Sequence, residues 1–259
     1  MIINKVYHAD VFEFLDKLEN ESIDLAIIDP PYNLKKGEWD SFESEEKYFE
    51  FTFGWIDKVI PKLKNNASLY VFNTAYNSAI ILNYLRSKDL KYRNWITWYK
   101  KDGFSSTKRK YVNAQETILF FTKTNEYVFN SDDIRIPYES KQRMAHAAKK
   151  GILKNGKRWF PNENGKLCND VWEITSQRHK EKVNGKVRAL KHPTVKPYEM
   201  IERIVKASSN ENSIVLDLFS GSGMTSIVAK GQKRNFVGCE LNEKYLEVIE
   251  SGGIEIGRL

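Results

Sequence analysis

A chain of 259 residues with 41% hydrophobic content can bury a core of its own, which excludes a disordered or fibrous protein. Its two cysteines, Cys168 and Cys239, have no paired spacing, so neither a disulfide framework nor a structural zinc site is expected, and a reducing cytoplasm fits. The formal net charge of +7 is concentrated: Arg135 to Lys196 holds 16 Lys and Arg against 5 Asp and Glu, a composition suited to a polyanion, most economically nucleic acid.

The chain opens with MIINKVYHADVF, which lacks the basic-then-apolar pattern of a secretory signal. No run approaches the roughly 18 apolar residues of a membrane span, so no membrane association is expected. Apolar runs rich in β-branched and aromatic residues predict buried strands at Ile23 to Ile28, Leu69 to Phe72, Trp95 to Trp98, Thr117 to Phe121, Ile214 to Leu218 and Phe236 to Cys239. Between several of them the apolar spacing is helical: Phe49, Phe53, Ile56, Ile60 and Leu63; Ala79, Leu82 and Leu85; Ile201, Ile204 and Val205; Ile227 and Val228; Tyr245, Leu246 and Ile249. This alternation predicts an α/β fold, a mostly parallel twisted sheet with helices on both faces. The rhythm fails between about Asn125 and Lys191, where the text turns polar, basic and turn-rich. Residues 125–191 are therefore read as an insertion between two halves of one sheet, 1–124 and 192–259, docked through Trp159, Phe160, Val171 and Trp172.

Three stretches carry chemistry. The first strand ends in Asp29-Pro30-Pro31-Tyr32, where ligands bind in such sheets. The prolines fix φ and leave their carbonyls without local N–H partners. An amino group conjugated to a ring could donate one hydrogen to Asp29 and one to the Pro30 carbonyl, with Tyr32 stacked on the ring; a strand-terminating turn with a packing tyrosine explains the tetrad equally well. The polar run that follows, Asn33 to Glu46, predicts a mobile loop closing over a ligand, or a plain surface connection.

Further on, HPTVKP ends at Pro197 before an amphipathic helix, a rigid helix approach that places Lys196 to meet an anionic group; a helix-entry turn with a solvated lysine is the simpler reading. The third stretch, DLFSGSGMT, joins a strand to a helix, and Glu240 follows 19 residues after Gly221 at the end of the next strand. Glycines for close backbone approach and a terminal acid for ribose hydroxyls suit a nucleoside-containing cofactor, whose identity the spacing leaves open. Ser226 stands where a dinucleotide fingerprint wants glycine or alanine, which counts against a nicotinamide oxidoreductase.

Together the motifs and their order, D-P-P-Y, basic insertion, HPTVKP, then F-x-G-x-G, resemble the β group of DNA amino-methyltransferases over nearly the whole chain. Stretches such as ITWYKKDG, QETILFFTK and GILKNGKRWFPN are similar to an adenine-specific member of a restriction-modification system. The resemblance implies a Rossmann-like methyltransferase fold, S-adenosylmethionine as cofactor, double-stranded DNA as substrate, and transfer of a methyl group to the N6 of a flipped-out adenine. It implies catalytic roles for Asp29, Pro30, Pro31 and Tyr32. It implies cofactor contacts from Asp10, Asp29, Thr194, Lys196, Phe219, Gly221, Gly223, Thr225, Glu240 and Asn242, with Glu240 on the ribose and Thr194 and Lys196 near the carboxylate. The insertion becomes a target-recognition region in which Lys154, Lys157, Arg158, Arg178, Lys180 and Lys182 contact DNA, joined by Lys108, Arg109 and Lys110 before it. A cognate restriction endonuclease is the implied functional partner, and a homodimer is compatible with the family.

The amino chemistry needs no covalent enzyme intermediate, and neither cysteine follows the proline that precedes ring-carbon nucleophiles. Scattered histidines at positions 8, 146, 179 and 192 suggest no metal site. The rival readings are cytosine-N4 methylation, disfavoured by Asp29 where cytosine enzymes more often carry serine; protein glutamine methylation; and a DNA-binding protein with an inactive methyltransferase fold.

Overall fold

The computed structural model describes residues 2–101, 108–176, 180–183, 186–189 and 195–259. In chain order the elements are β1 (Lys5–His8), α1 (Val11–Lys17), β2 (Ile23–Ile28), α2 (Glu45–Val59), β3 (Leu63–Asn73), α3 (Ala75–Ser87), β4 (Lys91–Tyr99), β5 (Gln115–Thr122), α4 (Lys141–Lys150), β6 (Ile152–Lys154), β7 (Lys157–Trp159), β8 (Val171–Glu173), β9 (Lys180–Val183), β10 (Lys186–Ala189), α5 (Tyr198–Ser208), β11 (Ile214–Asp217), α6 (Met224–Gly231), β12 (Asn235–Glu240), α7 (Glu243–Ser251) and β13 (Glu255–Arg258).

Nine strands form one sheet in the order β13-β1-β12-β11-β2-β3-β5-β4-β8. All pairings are parallel except those of β5, which runs antiparallel to β3 and β4. The strands read as unbroken apolar runs because both faces are covered. Leu69 and Val71 of β3 and Leu119 and Phe121 of β5 join the core beneath α1, α2 and α3. The alternate residues Tyr70, Phe72, Ile118 and Phe120 join the core beneath α5, α6 and α7. Side-chain oxygens of Asp10, Ser44, Thr74 and Asn242 cap the first turns of α1, α2, α3 and α7.

The predicted strands and helices are present, except that Leu63, expected to end a helix, opens β3, and the short strands β1, β6 to β10 and β13 escape the sequence pattern. β1 and β13 pair with each other at one edge, and β8 adds to the other edge through Thr97↔Val171 and Trp98↔Trp172. Segments of three or four residues are too short for a period to register. Because β8 lies within the insertion, that segment is sewn into the sheet it sits on. A second tie is Asn130, whose backbone N–H donates to the Ala207 carbonyl at 2.7 Å and whose amide donates to the Ser209 carbonyl at 3.0 Å, both at the end of α5. Of the four apolar residues expected to dock the insertion, only Trp172 is buried; Val171, Trp159 and Phe160 are exposed. Strand alternation explains the split within β8, since neighbouring residues face opposite sides. β6 and β7 form a hairpin closed by Asn155 and Gly156, both at positive φ (50° and 74°), the two-residue turn that matches strand twist.

Gly223 begins α6 at φ 76°, and a Cβ there would lie 3.1 Å from Ile249 Cγ1. Gly223→Ala should therefore cost about 1–3 kcal/mol, read as a lower urea midpoint with unchanged slope.

Candidate active site

Parallel pairing sets the strand ends side by side. Asp29 follows β2, Asp217 ends β11 and Glu240 ends β12, and all three line one cavity of about 260 Å³. Its walls also include Asp10, Pro30, Pro31, Tyr32, Lys196, Phe219, Gly221 and Thr225. The expected catalytic tetrad and most of the expected cofactor residues thus converge from both halves of the chain.

On the glycine-loop side, Glu240 Oε2 accepts from the Gly221 N–H at 2.7 Å and Oε1 from the Asn242 N–H at 2.8 Å. Burial raises the Glu240 pKa in spite of these bonds. Each oxygen keeps acceptor capacity for a ribose hydroxyl. Asp217 accepts from the Phe219 N–H at 3.1 Å, and burial, opposed by the Thr225 hydroxyl and that N–H, pushes it up to about 7. Asp10 caps α1 through the Phe12 N–H at 2.8 Å while lining the cavity. Two expected contacts take supporting places instead: Gly223 and Asn242 are not on the cavity wall, Gly223 shaping the turn and Asn242 capping α7 through the Lys244 N–H at 3.0 Å. Thr194 lies outside the described residues.

These groups fit S-adenosylmethionine. Aromatic walls from Phe219, Trp39 and Tyr245 suit an adenine ring, and carboxylates of Asp10, Asp29, Asp217 and Glu240 around one cavity suit a cationic sulfonium.

On the tetrad side, the structure changes two expectations. Tyr32 is buried, 7% exposed, and its hydroxyl donates to Asp29 Oδ1 at 2.8 Å. Burial first, then the Asp29 and Glu116 carboxylates, push its phenol well above the ordinary range, so it stays protonated. Lys196 does not turn toward the glycine loop. Its ammonium donates to Asp29 Oδ2 at 2.6 Å, lies 3.6 Å from Glu116 Oε2, and sits 5.3 Å from the centre of the Tyr32 ring. Burial alone would lower the Lys196 pKa, but the two carboxylates raise it overall. The opposite signs attract strongly once withdrawn from water, which holds this lysine inward.

The segment after the tetrad, expected as a loop closing over a ligand or as a plain surface connection, is folded over Asp40. That carboxylate, 1% exposed, accepts four backbone N–H groups: Tyr32 at 2.6 Å, Asn33 at 2.8 Å, Leu34 at 3.0 Å and Lys36 at 3.2 Å. Asn33 and Lys35 both take φ 58°, which turns successive N–H groups inward. Trp39 and Phe42 are thereby set on the cavity wall. Asp40, Glu116 and Asp217 line the cavity and were not among the site residues expected from the sequence. An acid eight residues past Tyr32, or one opening an apolar strand, has no periodic signature; only Asp217, inside the quoted glycine stretch, stood in a motif.

The expected DNA residues lie elsewhere. Lys154 and Lys157 are exposed at the tip of the β6–β7 hairpin, and Lys108, Arg109 and Lys110 are exposed before β5. Arg158 is exposed, yet its guanidinium donates to the Lys150 carbonyl at the end of α4, a capping role. Lys180 and Lys182 fall on β9, and Arg178 lies outside the described residues.

Residues 23–251 match the family described as DNA methylase. The chain belongs to that family. It is 57% identical over 244 residues to the type II methyltransferase M1.MboII of Moraxella bovis, covering 94% of each chain. It is 34% identical to M.HpaI of Haemophilus parainfluenzae, covering 93% of this chain and 71% of that one. Among solved structures, an M1.HpyAVI–SAM complex superposes with TM-score 0.64 at 25% identity over 96% of this chain and 98% of that one. The cytosine-N4-specific PvuII methyltransferase shares the fold at TM-score 0.70, with 18% identity over 96% and 86% of the two chains. The enzyme is a DNA methyltransferase that uses S-adenosylmethionine. Among the described residues no helix is long and apolar enough to cross a membrane.

Cofactor binding by this DNA methylase should depend on pH. A cationic ligand favours ionised Asp217, so affinity for S-adenosylmethionine should rise as pH increases through about 7, and Asp217→Asn should flatten that rise in a calorimetric titration. Asp40→Ala should leave four backbone donors unanswered, lowering stability by about 2–3 kcal/mol and opening residues 33–39 to limited proteolysis.

Proposed function

We propose that this DNA methyltransferase modifies the N6 of adenine within a specific duplex site, as the modification enzyme of a restriction-modification system with a cognate endonuclease. The observation that carries the reading is the convergence of the D-P-P-Y tetrad and the glycine-loop acids on one cavity. The identity to M1.MboII over nearly the full length supports the system type. Cytoplasmic residence follows from the substrate and fits two unpaired cysteines.

The target atom is stacked inside a duplex, so the base must be extruded, at a cost of a few kcal/mol. Stacking on Tyr32 would return roughly 1–3 kcal/mol of that. S-adenosylmethionine, when bound, supplies a methyl group made electrophilic by its sulfonium sulfur. Asp29 and the Pro30 carbonyl accept the two amino hydrogens and so direct the nitrogen lone pair at that methyl. The sulfur, as leaving group, would keep the bonding pair of the transferred methyl, and Asp29 would take the surplus proton from the amino nitrogen. Asp10, Phe219, Gly221, Thr225 and Glu240 hold the cofactor in this reading, with Gly223 and Asn242 shaping the loop behind them.

The thiols support amino over ring-carbon chemistry, because burial raises the pKa of both Cys168 and Cys239 and so disfavours a nucleophilic thiolate. Residues 125–191 act as the target-recognition region between the two halves of the sheet, with Lys154 and Lys157 on backbone phosphates.

Asp29→Ala should slow methyl transfer by at least about a hundredfold while duplex binding persists. Nucleosides released from modified DNA should contain N6-methyladenine; N4-methylcytosine instead would overturn the target. Reversing the charge of Lys154 and Lys157 should flatten the salt dependence of duplex affinity, by about 0.9 in log–log slope for each phosphate no longer neutralised.

A further inference from the structure

Glu116, the second residue of β5, lies in the QETILFFTK stretch but in none of the three chemical motifs, yet it completes a closed ring of partly buried charge. Its Oε1 is bound by the Lys100 ammonium. Its Oε2 faces two donors that are already engaged elsewhere, the Tyr32 hydroxyl at 3.4 Å and the Lys196 ammonium at 3.6 Å. Those same donors make shorter bonds to the two oxygens of Asp29, at 2.8 and 2.6 Å. One carboxylate oxygen is thus the second acceptor for both partners of the catalytic acid. Burial alone would raise the Glu116 pKa, but Lys196 and Lys100 lower it overall, so it is an anion while the ring is intact.

In this arrangement Asp29 is occupied. A target amino group needs an Asp29 oxygen, and a target ring needs the Tyr32 face that the Lys196 ammonium overhangs at 5.3 Å. Lys196 and the phenol, both buried and both protonated, must keep an acceptor as they yield, because a buried donor left without one costs about 1–3 kcal/mol, more when charged. Water has little access to the two donors themselves, since Tyr32 and Lys196 are 7% and 8% exposed, whereas the Asp29 side chain, open to the cavity, is 27% exposed. Displacements of about 1 Å would bring both donors into full hydrogen bonds with Glu116 Oε2.

We propose that Glu116 is a positioning residue for methyl transfer: its Oε2 receives the Lys196 ammonium and the Tyr32 hydroxyl when the target amino group takes Asp29. Lys100 holds Glu116 at the reach this exchange requires. No covalent bond changes in the exchange, and the four charged groups of Asp29, Glu116, Lys100 and Lys196 sum to zero before and after it. The inference rests on the reading of Asp29 as acceptor of the target amino group.

The test compares Glu116→Gln, Glu116→Asp and Asp29→Asn in the full-length enzyme, with single-turnover methylation, S-adenosylmethionine titration and duplex affinity as readouts. Glu116→Gln keeps the shape and removes the anion, so its methylation rate should fall about tenfold or more while both affinities stay within about twofold, and Glu116→Asp, which keeps the anion at shorter reach, should recover only part of the rate. A residue that merely held the fold would lower cofactor affinity and melting temperature together with the rate. Full activity in Glu116→Gln beside an inactive Asp29→Asn overturns the exchange and leaves the Asp29 reading standing; an active Asp29→Asn overturns that reading itself. Should Glu116→Gln not fold, Lys100→Gln, at a partly exposed position, frees Oε1 and should slow methylation severalfold with cofactor affinity intact; an unchanged rate there overturns the proposal.

Discussion

The parallel pairing of β11 against β2, Val215 with Leu25 and Leu216 with Ala26, is the interaction on which the site depends. It joins residues about 190 positions apart in the chain and puts the ends of both strands on one edge of the sheet. The acid after β2 and the acid at the end of β11 then open on the same cavity, with Glu240 one strand further on. Nothing local brings these groups together. Their proximity is set by the apolar strands beneath them, whose two faces are covered by α1 to α3 on one side and α5 to α7 on the other.

The cavity is anionic, and the structure manages that charge in two ways. Asp40 and Glu240 are satisfied by backbone N–H groups, which carry no net charge and so leave the field negative, as a sulfonium cofactor requires. Asp29 and Glu116 are instead neutralised by lysines, Lys196 from a distant part of the chain and Lys100 from beside the neighbouring strand. The first arrangement is fixed by the backbone. The second is held by side chains that face more than one partner, Lys196 lying within reach of both Asp29 and Glu116.

The insertion makes the same division between support and function. β8 and Asn130 tie it to the sheet and to the end of α5, while the β6–β7 hairpin carries Lys154 and Lys157 outward on a tight Asn-Gly turn. Arg158, which sequence alone groups with the other basic residues, turns back to cap α4. A count of positive charge could not separate the capping arginine from the lysines beside it.

Much of the molecule is written in its sequence. Period and composition determined the strands and helices, because residues buried on both faces of a sheet must be apolar in unbroken runs, and the order of motifs determined the family. What the linear text could not carry was partnership. Tyr32 reads as a stacking face, and its hydroxyl is in addition buried on Asp29; Lys196 reads as a solvated or cofactor-facing lysine, and is the counter-ion of Asp29. Asp40 and Glu116 lie in stretches singled out for other reasons, with nothing to mark either acid as part of the site. Burial and charge pairing arise only when distant strands meet, and those two effects, which fall steeply with distance and rise steeply with desolvation, are decided by tertiary structure alone.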